Sequence, residues 1–310
     1  MILTNVDVMF NLHLHEYLEG PYLIPTQPHP ATGEKLPVII GHEFSGVVSE
    51  VGNNIKDMKP GDNIVVQPII FNCQCNSCQK GLINCCRTSG FIGLSDGAEV
   101  SQSTSFFLGA LVEPLAVALH AVKLTGLKED DSAIVLGVGP IGLAVIHVLK
   151  GLGVRMVIPS EIASHRKQFT EAAGASIILD PTSDDLGAKC RTLTDGEGVH
   201  VVFDTVGVQR SLDAAFATCR PRGTIVNIAI WSSTATIQPN IFVLNERSLV
   251  GSCTYSAGDF EEVIDSLKSG RIKPESMITR VTDLEHVASE GFQALIEDKE
   301  NHVKILVKVE

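Results

Sequence analysis

The chain has 310 residues, with 44% hydrophobic and 19% charged residues; this is the composition of about two globular domains and excludes intrinsic disorder and collagen-like repeats. Its 24 basic and 36 acidic residues leave a net charge of −12, which excludes an electrostatic footprint for a nucleic-acid backbone or an anionic membrane. The longest apolar stretch, Ala133–Leu149, is broken by Gly137, Gly139, Pro140 and Gly142 and falls short of the roughly 20 residues that span a bilayer. No Lys or Arg occurs in the first seventeen residues, so no secretory leader is read, and a cytoplasmic protein without membrane or nucleic-acid partners is expected.

In chain order, residues 1–112 are rich in glycine, proline and β-branched residues and read as an all-β unit. Val47–Val51 and Ile64–Val66 are predicted strands, joined across the turn Pro60-Gly61-Asp62. From Glu113 the texture alternates. Strands are predicted at Ala133–Leu136, Met156–Pro159, Ile177–Leu179, Val199–Phe203 and Thr224–Ile228. Helices are predicted at Ile141–Leu152, His165–Ala173, up to Leu193, and Arg210–Cys219. Such alternation implies right-handed crossovers and a parallel sheet, with Ser248–Cys253 as its last strand. The tail holds one predicted helix, Asp259–Lys268, and the apolar strand Val303–Val309, expected to rejoin the first domain. The boundaries read this way are 1–112, 113–256 and a C-terminal return, 257–310.

Gly137-Val138-Gly139-Pro140-Ile141-Gly142 forms G-x-G-x-x-G between a β-branched strand and an apolar helix. In that setting the glycines permit a tight turn, close approach to a pyrophosphate and tight helix packing, and the helix N-terminus offers free N–H groups to phosphate. Glu161 follows 19 residues after Gly142, where a carboxylate accepts from ribose hydroxyls and repels a 2′-phosphate; NAD is therefore expected rather than NADP. Arg166 is either a partner of the cofactor phosphates or a solvated helix residue.

Of eight cysteines, five crowd into fourteen residues: Cys73, Cys75, Cys78, Cys85 and Cys86. Clustered thiols in a long, non-secreted chain favour a metal over a disulfide framework. Cys75-x2-Cys78-x7-Cys86, within a lobe spanning 72–86, has the spacing of a tetrahedral structural zinc site. Cys73 is the expected fourth ligand, although Asn72 holds the more usual position and Cys85 competes with Cys86; a cluster without metal is the alternative. One knuckle in an acidic chain argues against a nucleic-acid zinc ribbon.

Gly41-His42-Glu43-Phe44-Ser45-Gly46, continuing to Gly52, reads G-H-E-x2-G-x5-G and resembles the signature of zinc-containing medium-chain alcohol dehydrogenases. His15-Glu16-Tyr17, Pro68-Ile69-Ile70, Gly90-Phe91-Ile92-Gly93, Leu111-Val112-Glu113-Pro114, Arg220-Pro221-Arg222-Gly223 and Val226–Trp231 narrow the resemblance to the butanediol dehydrogenase branch, close to sorbitol dehydrogenases. It covers about residues 14–96 and 109–310. The resemblance implies an α/β protein with a doubly wound Rossmann sheet and a GroES-like β-barrel domain. It also implies a catalytic zinc on His42, Glu43 and Glu113 (Glu43 as ligand or just outside), catalytic roles for His15 and Glu43, a small diol or alcohol substrate, and a homo-oligomer.

Two departures from the pattern stand out. Aligned on His15-Glu16, Phe10 falls where the family has a zinc-ligating cysteine, Leu12 where it has a proton-relaying hydroxyl, and His13 in an aspartate position. The preceding strands and the barrel strands around Ser95–Leu108 are expected to be lost, leaving the barrel incomplete, as in a truncated or alternatively spliced product. Three functions are thus in play: a zinc- and NAD-dependent diol or polyol dehydrogenase, a catalytically impaired NAD-binding homologue, and a binding protein on the same fold.

Overall fold

The structure is a computed structural model that describes residues 2–9, 16, 20–21, 23–95, 99–102 and 106–309. Phe10, Leu12, His13 and His15 lie outside the described residues, as do 96–98 and 103–105. The chain divides into two compact units, one of residues 1–116, 255–268 and 277–310, the other of 117–254 and 269–276.

The first unit contains β1 (Ile2–Met9), β2 (Glu43–Glu50), β3 (Asn63–Gln67), β4 (Ile69–Ile70), the short α1 (Asn76–Gln79), β5 (Gly90–Phe91), β6 (Glu99–Gln102) and α2 (Phe106–Gly109). Helix α3 (Val112–Lys123) begins in this unit and continues into the second. There, β7 (Ser132–Leu136), α4 (Pro140–Gly151), β8 (Met156–Ser160), α5 (Ser164–Ala172), α6 (Leu186–Leu193), β9 (Val199–Asp204), α7 (Gln209–Thr218), β10 (Cys219–Asn227), α8 (Asn240–Val243) and β11 (Ser248–Gly251) follow. The chain returns to the first unit through α9 (Ala257–Lys268), β12 (Ile278–Asp283), α10 (Gln293–Glu297) and β13 (Lys304–Val309).

The six-stranded sheet of the first unit runs β12-β13-β1-β2-β3-β6. Strand β1 is antiparallel to both β2 and β13, so Met9 pairs with Glu43 on one side and Leu306 on the other. Residues Ile2–Met9 form a central strand of this sheet. One expectation is corrected here: β6 pairs with β3 within the segment expected to have lost its strand. Sequence reasoning also missed β12, which pairs parallel to β13. Val48, Ile64 and Val66, packed by Phe44, Val51, Met58 and Ile92, form an apolar cluster on β2 and β3.

The second unit is a parallel five-stranded sheet, β11-β10-β9-β7-β8. The order reverses at β7, which has β8 on one side and β9 on the other; in open α/β sheets ligands bind at the carboxyl ends flanking such a switch point. The expected strand Ile177–Leu179 shrinks to a single parallel bridge between Ser160 and Leu179. Ile134, Ile158, Val202, Leu212, Phe216 and Ile225 are among the residues that fill the core between sheet and helices. Among the described residues, no helix is long and apolar enough to cross a membrane.

Candidate active site and metal centres

His42 and Glu43 are placed by a close backbone crossing. The Gly41 N–H donates to the Gly93 carbonyl at 3.3 Å, and a Cβ on Gly93 (φ +72°) would lie 2.0 Å from the Gly41 oxygen, so only glycine fits. Glu43 then opens β2, while Glu113 sits in the first turn of α3. All three side chains are buried, and one ligand atom from each lies within 4.8 Å of the others.

A fourth group joins them that sequence reasoning missed. Lys304, only 1% exposed, donates from Nζ to both Glu43 oxygens, at 2.6 and 2.5 Å. The register explains the meeting: Glu43 and Leu306 both oppose Met9, and Lys304, two residues before Leu306, shares its face. The signal in the sequence was a lysine opening a strand whose next three residues, Ile305, Leu306 and Val307, are apolar.

Burial sets the electrostatics. Desolvation, aided by the Lys304 charge, lowers the His42 pKa to about 3, so the imidazole is neutral. Glu113 is pushed up to about 8 by burial first and by Glu43 second, with Lys304 opposing. One ammonium thus faces the Glu43 carboxylate, a Glu113 carboxyl that burial holds protonated below about pH 8, and a neutral imidazole; a divalent cation bound there would displace the Glu113 proton. Tyr255 is buried beside this set. Its hydroxyl has no hydrogen-bond partner among the described residues, and burial, then Glu113 and Glu43, drive its pKa upward.

The glycine loop has the features expected of a dinucleotide cradle. Gly137 adopts φ +83°, and a Cβ on Gly142 would meet the Gly137 oxygen at 2.0 Å. Thr205 Oγ1 donates to the Leu136 and Gly137 carbonyls and fixes the turn. By contrast, a Cβ on Gly139 would meet nothing within 4 Å; open space at the cap of α4 suits a pyrophosphate. Glu161 is buried; its Oε2 accepts from Val138 N–H at 2.7 Å, and its Oε1 from Ile162 and Ala163 N–H at 2.9 Å. The carboxylate ties the loop between β7 and α4 to the end of β8. Arg166 lies half-buried on α5.

In the lobe at 72–86, Cys75, Cys78 and Cys86 bring their sulfurs together, with Cys75 Sγ 3.5 Å from Cys78 and 4.0 Å from Cys86. Backbone N–H groups, that of Cys78 first, lower the Cys75 thiol to about 6, a setting that favours thiolate. Cys73 does not join: it is exposed, with φ +58°, and lies outside the group. Cys85 is likewise exposed and outside it.

These features define the class. Residues 11–125 match the alcohol dehydrogenase GroES-like domain and residues 140–269 the zinc-binding dehydrogenase domain. The chain is 36% identical over 312 residues to (R,R)-butanediol dehydrogenase of Neisseria gonorrhoeae and 39% identical to that of Bacillus subtilis, covering 95% of this chain and 88% of each relative. The crystal structure of the Bacillus subtilis 2R,3R-butanediol dehydrogenase superposes with a TM-score of 0.92 at 37% identity, covering 100% of this chain and 92% of that one. The chain belongs to the zinc-containing medium-chain alcohol dehydrogenase family, and is an oxidoreductase with a Rossmann-like domain and a GroES-like domain.

Proposed function

We propose that the chain is an NAD-dependent, zinc-dependent cytoplasmic dehydrogenase of vicinal diols and acetoin-type secondary alcohols, with 2,3-butanediol as its type substrate. The observation that carries this reading is the buried set of His42, Glu43 and Glu113, neutralised in part by Lys304. Its donors fit a divalent cation: His42 and Glu113 as ligands, and Glu43 either a third ligand or held just outside by Lys304. Bound there, zinc supplies a Lewis acid that lowers the pKa of the alcohol, and NAD supplies the hydride acceptor.

The protein's own contribution is positioning and charge. His42 is kept neutral by burial, the protonation state a metal ligand needs. Lys304 holds Glu43 in one orientation by donating to both of its carboxylate oxygens. The free N–H groups at the start of α4 hold the pyrophosphate at Gly139, and Glu161 accepts from the adenosine ribose while repelling a 2′-phosphate. In the lobe, Cys75, Cys78 and Cys86 hold a second zinc. Strand β11 forms the open edge of its sheet, with Leu249 on it and Val243 and Leu244 nearby exposed; this supports a homo-oligomer.

The test combines metal analysis, cofactor titration and turnover. The purified chain should bind NADH more tightly than NADPH and contain zinc that falls in His42→Ala. Oxidation of 2,3-butanediol should be slow, because Phe10 and Leu12 replace a ligand and a relay hydroxyl. Phe10→Cys with Leu12→Ser should raise it by about 10²–10⁴-fold. NADPH binding as tight as NADH, or unchanged turnover in His42→Ala, overturns the reading.

A further inference from the structure

We infer that the cysteine lobe is an open site: three thiolates hold the ion, and its fourth coordination position belongs to an exchangeable ligand from solution, water or a small thiol. The inference rests on the reading that this lobe holds zinc and concerns the shape of that site.

The three sulfurs already have the right spacing. Sulfurs about 2.3 Å from a tetrahedral zinc stand about 3.8 Å apart, and the separations of 3.5 and 4.0 Å from Cys75 bracket that edge. The cage is set by backbone: Asn72 N–H donates to Cys86 Sγ at 3.5 Å, and the Cys75 sulfur faces the N–H groups of Cys78, Arg87 and Ser77. Three corners of the tetrahedron are therefore fixed before any ion arrives.

The fourth corner has no protein donor among the described residues. Asn72 stands where a fourth cysteine would complete the pattern, but its side chain is spent. Its Oδ1 accepts from the N–H groups of Gln74 at 2.9 Å and Cys75 at 3.0 Å, which uses both lone pairs of an amide oxygen. Its Nδ2 donates to Thr88 Oγ1 at 2.9 Å. Asn72 shapes the loop around the thiolates and leaves them one ligand short. Cys73 is next to it in sequence, yet it is exposed and its left-handed backbone carries the thiol outside the group.

Closed four-ligand sites are structural, whereas three protein ligands with an open position are the pattern by which zinc exchanges a bound molecule. A lobe of this kind loses its ion to chelators readily and takes up a small thiol as the missing fourth sulfur, so its occupancy follows the thiol concentration around it.

Cadmium NMR of the full chain loaded with cadmium reads the number of sulfurs directly, and ions bound only through nitrogen and oxygen resonate elsewhere. The wild type should show a three-sulfur site that becomes four-sulfur on addition of 2-mercaptoethanol, with Cys73→Ser unchanged in both states. Asn72→Cys should show four sulfurs without added thiol and lose zinc to a chelator about tenfold more slowly. A four-sulfur site in the wild type without thiol, falling to three in Cys73→Ser, overturns the open site while leaving the zinc reading intact. Absence of any sulfur-bound cadmium overturns both.

Discussion

The second unit is built from chain neighbours and the first from chain ends. In the second, β7, β8, β9 and β10 each lead into the next through one or two helices, and every pairing is parallel. In the first, β1 lies between β2 and β13, and the ion pair at its centre joins residues 261 positions apart. Closing such distances costs more chain entropy than closing a β-α-β unit. The proposed catalytic site therefore depends on the assembly that forms with the least local help. The two units should answer differently to mutation and to pH.

Breaking the Glu43–Lys304 pair should have the largest effect. Lys304→Met leaves a carboxylate buried without its cation, which costs about 3–5 kcal/mol when one partner of a buried pair is removed. Hydrogen exchange should show this loss in residues 43–50 and 304–309 and spare 132–136 and 199–204. Removing the charge as well, in Lys304→Met with Glu43→Leu, should restore most of the stability, because replacing both partners by apolar groups is close to neutral. A single variant that loses less than about 1 kcal/mol would make the pair no more than a surface-like contact and remove the contrast between the units.

What could be read from sequence follows the same division. The strand–helix alternation of the second unit, the G-x-G-x-x-G turn and Glu161 were legible because each depends on residues a few positions apart. Ile177–Leu179 misled because an apolar run has no way to announce that only Leu179 finds a partner. In the first unit, His42, Glu43 and Glu113 were found through motif resemblance. Lys304 was not, because a lysine in a strand ordinarily faces water and its burial follows from a pairing with residues at the other end of the chain. Strand β1 was missed because Thr4, Asn5 and Asp7 interrupt its apolar pattern. Cys73 was expected to be a ligand on spacing, which carries no information about a positive φ.

Acidity should separate the units next. In the second unit, burial depresses the His147 pKa to about 4, with Ser276 Oγ 3.4 Å from its Nε2. The folded value lies below the unfolded 6.5, so the unfolded state binds the extra proton. Stability is complete above pH 6.5 and declines as pH falls toward 4, by up to about 3 kcal/mol. In the first unit, stripped of metal, Glu113 has the opposite sign. Its folded pKa of about 8 lies above the unfolded 4.5, so its contribution is present below 4.5 and is lost as pH rises through 8. Between pH 6.5 and 8 the first unit should weaken while His147 leaves the second unchanged. Trp231 is the single tryptophan and lies in the second unit, so its fluorescence in urea titrations follows that unit, and hydrogen exchange follows the first. His147→Gln should flatten the acid limb; parallel decline of both units on the alkaline side would contradict the assignment to Glu113.

The smallest effect distinguishes shape from function within the glycine loop. Gly142→Ala places a methyl 2.0 Å from the Gly137 oxygen, so the turn must shift, and both stability and NADH binding should fall. Gly139→Ala places its methyl in open space, with no atom of the described residues within 4 Å. If that space is where the pyrophosphate approaches the cap of α4, this variant keeps the midpoint of urea unfolding read from Trp231 yet binds NADH at least tenfold more weakly, a difference of about 1.4 kcal/mol. The two variants differ by one methyl at positions three residues apart, and only the first is a packing defect. NADH binding by Gly139→Ala at wild-type affinity would place the phosphates elsewhere and leave the loop a structural turn.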